Sequence, residues 1–249
     1  MTQTGDPRTL VRIAVTTPPP MQRYHARQAR VEAHDGFTIL DLGGPGHAIN
    51  YLTLYSEPDP EHLVEAARAF FGNAGFDIAV ESDTAPAFEE RLKAHGWVID
   101  EEEPSMLLQP IPETPQAPAG LDIHHVSTDA ELDDFLRITR TGRRWIPSLE
   151  AARDPNVALY VGYVNDTPVA TSRINVMGEV GDINGVETLP CFRRRGIGTA
   201  LTWAAVAAGH ERGCTAITLS ASPMGYPVYL KMGFEPVCVY RTYVQPNRR

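Results

Sequence analysis

Two rhythms of apolar and polar positions run through the chain, and the places where the rhythm changes mark its elements. Val157 to Val164 is rich in β-branched and aromatic residues at strand spacing. After the turn Asn165-Asp166-Thr167-Pro168, the run from Val169 to about Met177 returns, so this stretch predicts a β-hairpin. Leu121 to Val126 predicts a strand. Asp129 to about Thr139 has apolar residues at helical spacing behind Ser127 or Thr128, either of which suits an N-cap. Further on, the pattern predicts a strand from Ile183 to Leu189, a helix from Thr199 to about Glu211, a strand from Cys214 to about Ser220, then a helix and a last strand. This order implies an α/β (α+β) fold with a mixed sheet flanked by helices.

The first half repeats the plan faintly. Phe37 to Leu42 and Ala48 to Tyr55 predict strands around Gly43-Gly44-Pro45-Gly46, and Pro60 to about Phe71 predicts a helix ending near Gly72. Phe76 to Val80 predicts a strand and Ala85 to about His95 a helix. Gly96-Trp97 follows, in register with Gly233-Phe234, and a last strand lies near Ser105 to Leu108. Such self-similarity suggests a duplicated unit. Between the halves, Gln109 to Gly120 holds four prolines and no apolar periodicity, so it reads as a semi-rigid connector. The expected division is 1–108, a linker at 109–120, and 121–249.

Composition narrows the function. The chain has 249 residues, 43% of them apolar and 21% charged, with a formal net charge of −9. That charge disfavours nucleic acid and anionic membranes as partners. No apolar run is long enough to cross a bilayer, and Met1 to Asp6 has no signal-peptide pattern, so a cytoplasmic location is expected. Cys191, Cys214 and Cys238 lack metal-ligand spacing and read as small buried or half-buried apolar residues. His124 and His125 adjoin on a strand and point to opposite faces, so they do not pair on one metal; no metal site is expected.

Val186 to Leu201 carries the chemistry: a β-branched strand, a basic turn with two glycines, then a helix. Unpaired N–H groups of the turn and of the helix start point into one concavity, where the helix dipole favours a pyrophosphate. Gly196 and Gly198 let the main chain approach phosphates closely. With Tyr229-Leu230-Lys231-Met232-Gly233-Phe234 downstream, the chain resembles the GCN5-related N-acetyltransferase (GNAT) superfamily over roughly residues 121 to 244. Arg193-x-x-Gly196-x-Gly198 is similar to its coenzyme A motif, and Tyr229-x-Lys231-x-Gly233-Phe234 to its C-terminal signature.

The resemblance implies a GNAT fold with a mostly antiparallel sheet, two GNAT-like domains in tandem, and acetyl-CoA as cosubstrate. It implies that backbone groups of Val186, Glu187 and Thr188 meet the pantetheine arm and that Arg193, Arg194, Arg195, Gly196, Ile197, Gly198 and Thr199 surround the pyrophosphate. Ser222 stands where the family often has an Asn that contacts the arm. Tyr229 would protonate the departing thiolate, with Tyr226 as substitute, and would also border the coenzyme. Glu187 would serve as base, with Asp182 or a water chain as alternatives. The first half has Ser56-Glu57-Pro58-Asp59 where the motif would stand, and Leu92 where Tyr229 would. It therefore reads as degenerate, without a coenzyme site. On the acceptor side, Arg143 or Arg144 beside Trp145 would hold an acceptor carboxylate.

The implied activity is acetyl transfer from acetyl-CoA to a primary amine of a small molecule, by direct attack in a ternary complex, in a monomer or homodimer. A non-catalytic acyl-CoA-binding module and a protein N-acetyltransferase are the alternatives.

Overall fold

Asp6 and Pro7 start a helix that the pattern analysis does not anticipate, α1 (Pro7–Thr16). The Asp6 carboxylate accepts the Thr9 N–H and proline occupies the first helical turn. In the computed structural model, residues 5–25, 27–43, 50–142 and 145–246 are described. The turn at Gly44-Pro45-Gly46, the strand start at Ala48, the loop arginines Arg143 and Arg144, and the tail beyond Pro246 lie outside them.

After α1 come β1 (Arg30–His34), β2 (Phe37–Asp41), β3 (Asn50–Leu54), α2 (Pro60–Phe71), β4 (Asp77–Glu81), α3 (Pro86–Ala94) and β5 (Val98–Leu108). The second half contributes β6 (Asp122–His125), α4 (Asp129–Thr139), α5 (Leu149–Ala152), β7 (Val157–Val164), β8 (Thr167–Met177), β9 (Val180–Thr188) and α6 (Ile197–Glu211). It ends with β10 (Ala216–Ser220), α7 (Tyr226–Met232) and β11 (Glu235–Val244). Thr128 caps α4 in a reciprocal capping box with Glu131.

All the described strands form one sheet in the order β1-β2-β3-β4-β11-β5-β10-β9-β8-β7-β6. Only β3–β4 and β9–β10 are parallel pairs; the remaining neighbours are antiparallel. The mixed, mostly antiparallel sheet flanked by helices is the architecture expected. Its connectivity is not visible in the pattern, because the two halves exchange their last strands. β5 pairs with β10 of the second half, β11 pairs with β4 of the first, and β5 and β11 pair with each other at the centre.

The exchange is built into both cores. Met106 and Leu108 of β5 are buried with Ile217, Leu219, Trp203 and Phe234 under α6 and α7. Tyr243 of β11 is buried with Leu52, Leu54, Ile78 and Phe88 under α2 and α3. Each such side chain contributes about 1.5–3 kcal/mol of burial to the opposite half. Polar groups add to the fastening. Glu81 has no exposed surface; it takes Arg8 at 2.6 Å, Arg12 at 2.7 Å and the Tyr240 hydroxyl at 3.2 Å. Glu89 accepts from Arg241 and from the Tyr243 hydroxyl.

One expectation of local structure is revised, and two further placements bear on the site. β5 begins at Val98 instead of near Ser105, because Glu101 to Glu103, and Val98 and Ile99 before them, have ladder partners in β11 although the stretch lacks apolar alternation. α7 begins at Tyr226, so Tyr229 sits inside the helix. The connector is not detached: Thr114 to Pro118 run along the start of α6 and, with Thr199, Ala200 and Trp203, line a cavity of about 330 Å³.

Candidate active site

The site forms where β9 and β10 part. Their parallel register runs from Val180↔Ala216 to Ile183↔Leu219, whereas β9 continues to Thr188 with no further pairing to β10. On the other side of β9, Thr171 faces Glu187 and Arg173 faces Asn184, so β9 carries an extra residue there. This bulge is turned by Gly185 at φ 62°. A gap thus opens in the sheet beside Val186, Glu187 and Thr188.

At the end of β9 the chain enters the basic turn. Arg193 Nε donates to the Thr188 carbonyl at 2.9 Å, and Arg195 donates to the Cys191 carbonyl and lies over the Phe192 ring. Arg194 at φ 60° and Gly196 at φ 75° turn the main chain into the left-handed region. Among the described residues, no backbone N–H from Arg194 to Thr199 has a backbone or side-chain acceptor outside α6, and Gly196 brings no capping side chain. Ile197 is buried and anchors the turn; the three arginines are exposed. A Cβ on Gly198 would stand 3.2 Å from Thr188 Oγ1. The arrangement is an anion cradle with its donors unspent.

Tyr229 approaches the gap from α7. Its ring is buried among Val186, Trp203 and Phe234, and Gly225 leaves it room: a Cβ there would lie 2.8 Å from Tyr229 Cε2. Burial, helped by the negative charge of Glu187 and opposed by a hydrogen bond with Thr202, pushes the phenol up to about 12. Tyr229 therefore stays protonated through the neutral range and can act as a donor. Tyr226 is only half-buried, and Ser222 lies in the exposed turn after β10, where its hydroxyl accepts the Gly225 N–H.

Glu187 is exposed on the bulged strand, while Asp182 sits deeper, at the fork. Asn184 donates to Asp182 at 2.8 Å and Thr218 at 3.4 Å, and Arg173 in turn bonds Asn184. Burial raises Asp182 to about 6 despite Arg173 and these hydrogen bonds, and burial lowers Arg173 to about 10.

Below the fork, a cleft of about 700 Å³ spreads across the sheet face. Asp182, Val186, Glu187, Ser222 and Tyr229 line one end. Asp77, Asp100, Glu101 and Glu103, with Tyr51 and Trp145, line the rest, and Ala14 and Val15 of α1 form a wall. Sequence reasoning marked Trp145 but missed Tyr51 of β3 and Glu101 and Glu103 of β5; the strand exchange is what carries β5 to this place. Among the described residues, no group of three or more His, Cys, Asp or Glu is placed to hold a metal ion. His124 leans on Tyr163 and His125 on Tyr160. Cys214 and Cys238 are buried, and burial raises their thiols to about 11 and about 12; Cys191 is exposed, contrary to the expectation of a buried or half-buried residue.

The sequence model of the acetyltransferase (GNAT) family matches residues 123–234, the stretch that contains the gap, the cradle and Tyr229. Residues 123–234 form a GNAT domain. Solved GNAT structures share the fold of the whole chain. A GCN5-related N-acetyltransferase from Kribbella flavida is 20% identical, with 96% of each chain covered and a TM-score of 0.75. One from Sphaerobacter thermophilus is 16% identical, covering 85% of this chain and 81% of its own, with a TM-score of 0.59. A tandem GNAT protein from the clavulanic acid biosynthesis pathway is 14% identical, covering 94% and 92%, with a TM-score of 0.55. No curated protein matches the chain. Acetyl transfer from acetyl-CoA is the reaction class of this family. No helix among the described residues is long and apolar enough to cross a membrane.

Proposed function

We propose that the protein is an N-acetyltransferase that moves acetyl from acetyl-CoA to a primary amine of a small molecule. The observation that carries this reading is the meeting, at one gap in the sheet, of an anion cradle with free N–H donors and a buried, protonated tyrosine. In this reading the N–H groups of Arg194 to Thr199, with Arg193 to Arg195 around them, hold the pyrophosphate. Val186 to Thr188 offer backbone groups to the pantetheine arm, and Ser222 borders it.

The neutral amine nitrogen attacks the thioester carbonyl, forming the C–N bond. As the C–S bond breaks, the electron pair leaves on sulfur and Tyr229 supplies the proton. The proton lost by the amine passes to Glu187, directly or through water. A second assignment of the base has its own support: Asp182 is held near 6, where a carboxylate is a stronger base than an ordinary one and is still ionised at neutral pH. The first half, whose helix start is occupied by its own acids, would carry no coenzyme and would serve to wall the acceptor cleft.

Calorimetric titration with acetyl-CoA tests the reading. We expect one site per chain in the wild type and none in an Arg193→Glu, Gly196→Asp variant that keeps its unfolding transition. Absence of binding to the wild type would remove the transferase reading. Two sites would overturn the inactive role of the first half.

A further inference from the structure

The cleft beside the reacting groups is larger than a simple amine requires, and the charged side chains among its described lining residues are all acidic. It extends from β9 across β10, β5, β11 and β4 to β3, about 24 Å at ordinary strand spacing. Six carboxylates line it, those of Asp77, Asp100, Glu101, Glu103, Asp182 and Glu187, and no lysine or arginine is among its described lining residues. Not all six are available to a ligand. Asp182 is engaged by Asn184, Thr218 and the field of Arg173, and Asp77 and Asp100 have interactions of their own. Glu101, Glu103 and Glu187 make no ion pair among the described residues.

The uncompensated charge is felt locally. Glu103 is raised by burial and then by Glu101, and the Tyr51 phenol is pushed up to about 12 by burial, with Asp77, Glu101 and Glu103 adding to it. Like charges placed this close repel, and a cation between them relieves the repulsion. Two aromatic side chains, Tyr51 and Trp145, line the same cleft. β9, which carries Glu187, and β5, which carries Glu103, stand on either side of β10 in the sheet.

We propose that the acceptor is a polycationic amine, with one amino group presented to Glu187 and Tyr229 and a second, as ammonium, held on β5 by Glu101 and Glu103. This rests on the transferase reading for the fate of the first amine, while the binding of the second does not. The exchange of β5 between halves is what brings these acids to the active site, so the first half supplies specificity to chemistry done by the second.

Spermidine and n-butylamine are the probes, in two parallel measurements: calorimetric binding to the full chain in the presence of coenzyme A, and thiol release from acetyl-CoA. We expect spermidine to bind one-to-one, at least about tenfold tighter than n-butylamine, and to lose that margin as ionic strength rises. A Glu101→Gln, Glu103→Gln variant should weaken spermidine about tenfold while leaving n-butylamine and acetyl-CoA binding unchanged. Equal affinity for the two amines in the wild type overturns the inference even if thiol release proceeds, and that result leaves the transferase reading standing. Spermidine binding without thiol release has the opposite meaning, sinking the transferase reading and keeping the cationic cleft. A variant that folds and binds spermidine like the wild type also overturns the assignment to Glu101 and Glu103.

Discussion

The two halves contain the same kind of parallel strand pair joined by the same kind of helix, and they differ at the two points where a coenzyme would enter. In the second half, pairing between β9 and β10 stops at Ile183 and β9 runs on, bulged at Gly185, to Thr188. In the first half, pairing between β3 and β4 runs from Tyr51↔Asp77 to Leu54↔Val80, and Leu54 is the last residue of β3. No gap opens. The helix starts differ as well. α6 begins at Gly196 with no capping side chain and no acid in its first turn. α2 begins at Asp59, whose carboxylate accepts the Glu61 N–H at 3.0 Å, and Glu61 adds a second negative charge. A capped helix is the more stable on its own, whereas one left uncapped keeps its donors for a ligand. In the proposed reading, one copy serves packing and the other chemistry.

The comparison is broken most severely by separating the copies. Because β5 completes the second half's core and β11 the first half's, residues 121–249 expressed alone should show no cooperative unfolding transition. Adding residues 1–120 in trans should restore one, read by circular dichroism against denaturant. A C-terminal fragment that unfolds cooperatively by itself would mean that the exchanged strands are replaceable.

Single residues at the ends of the matched strands should separate the halves next. β4 ends in Glu81 and β10 ends in Ser220. Glu81→Gln strands two guanidiniums and should cost about 2 kcal/mol. This falls short of the loss for a wholly buried pair, since Arg8 and Arg12 keep 39% and 29% of their side-chain surface in water. Ser220→Ala should change stability by no more than about 0.5 kcal/mol. Equal losses in urea titrations would show that Glu81 is not a fastener between halves.

How far these features could be read from the sequence depended on the range of the interactions. The turn around Gly196, the α4 cap at Thr128 and the hairpin of β7 and β8 are fixed by neighbours in the chain, and local pattern exposes them. α1 announced itself only through Asp6-Pro7 and the spacing of Val11 and Val15. The strand exchange left no local trace: Leu107 of β5 pairs with Ile99's distant counterpart strand, β11, at Glu235, and with Thr218 of β10. Glu101 and Glu103 carry no local signal of their role for the same reason, since their place in the cleft follows from pairing across more than a hundred residues.

Within the active half, proton transfer offers a sharper test. Tyr229→Phe should lower kcat about a hundredfold with little change in the KM for acetyl-CoA, because the phenol is needed when sulfur leaves and not when the coenzyme binds. The wild-type pH profile of kcat should not fall on account of Tyr229 anywhere below about 12. If Asp182 is the base, its carboxyl must be ionised, so kcat should rise with pH through about 6, and Asp182→Asn should remove that limb. Retention of the limb in Asp182→Asn would remove Asp182 from that role.

The smallest effect is expected from making the first half look like the second. Asp59→Gly uncaps α2 and removes one negative charge from its entrance. A glycine is itself a tolerable cap, so stability should fall by only about a few tenths of a kcal/mol. Acetyl-CoA should still titrate to one site per chain, for reasons that lie in the sheet and not in the helix. β3 ends with its last pair to β4, leaving no gap for a pantetheine arm, and Glu57 still sits before the helix, its carboxylate accepting the Ala87 N–H at 3.3 Å. Free N–H groups without a gap beside them make half a coenzyme site. A second site appearing in Asp59→Gly would mean that the acidic cap alone silenced the first half, and the parting of β9 from β10 would lose its place as the feature that separates the two copies.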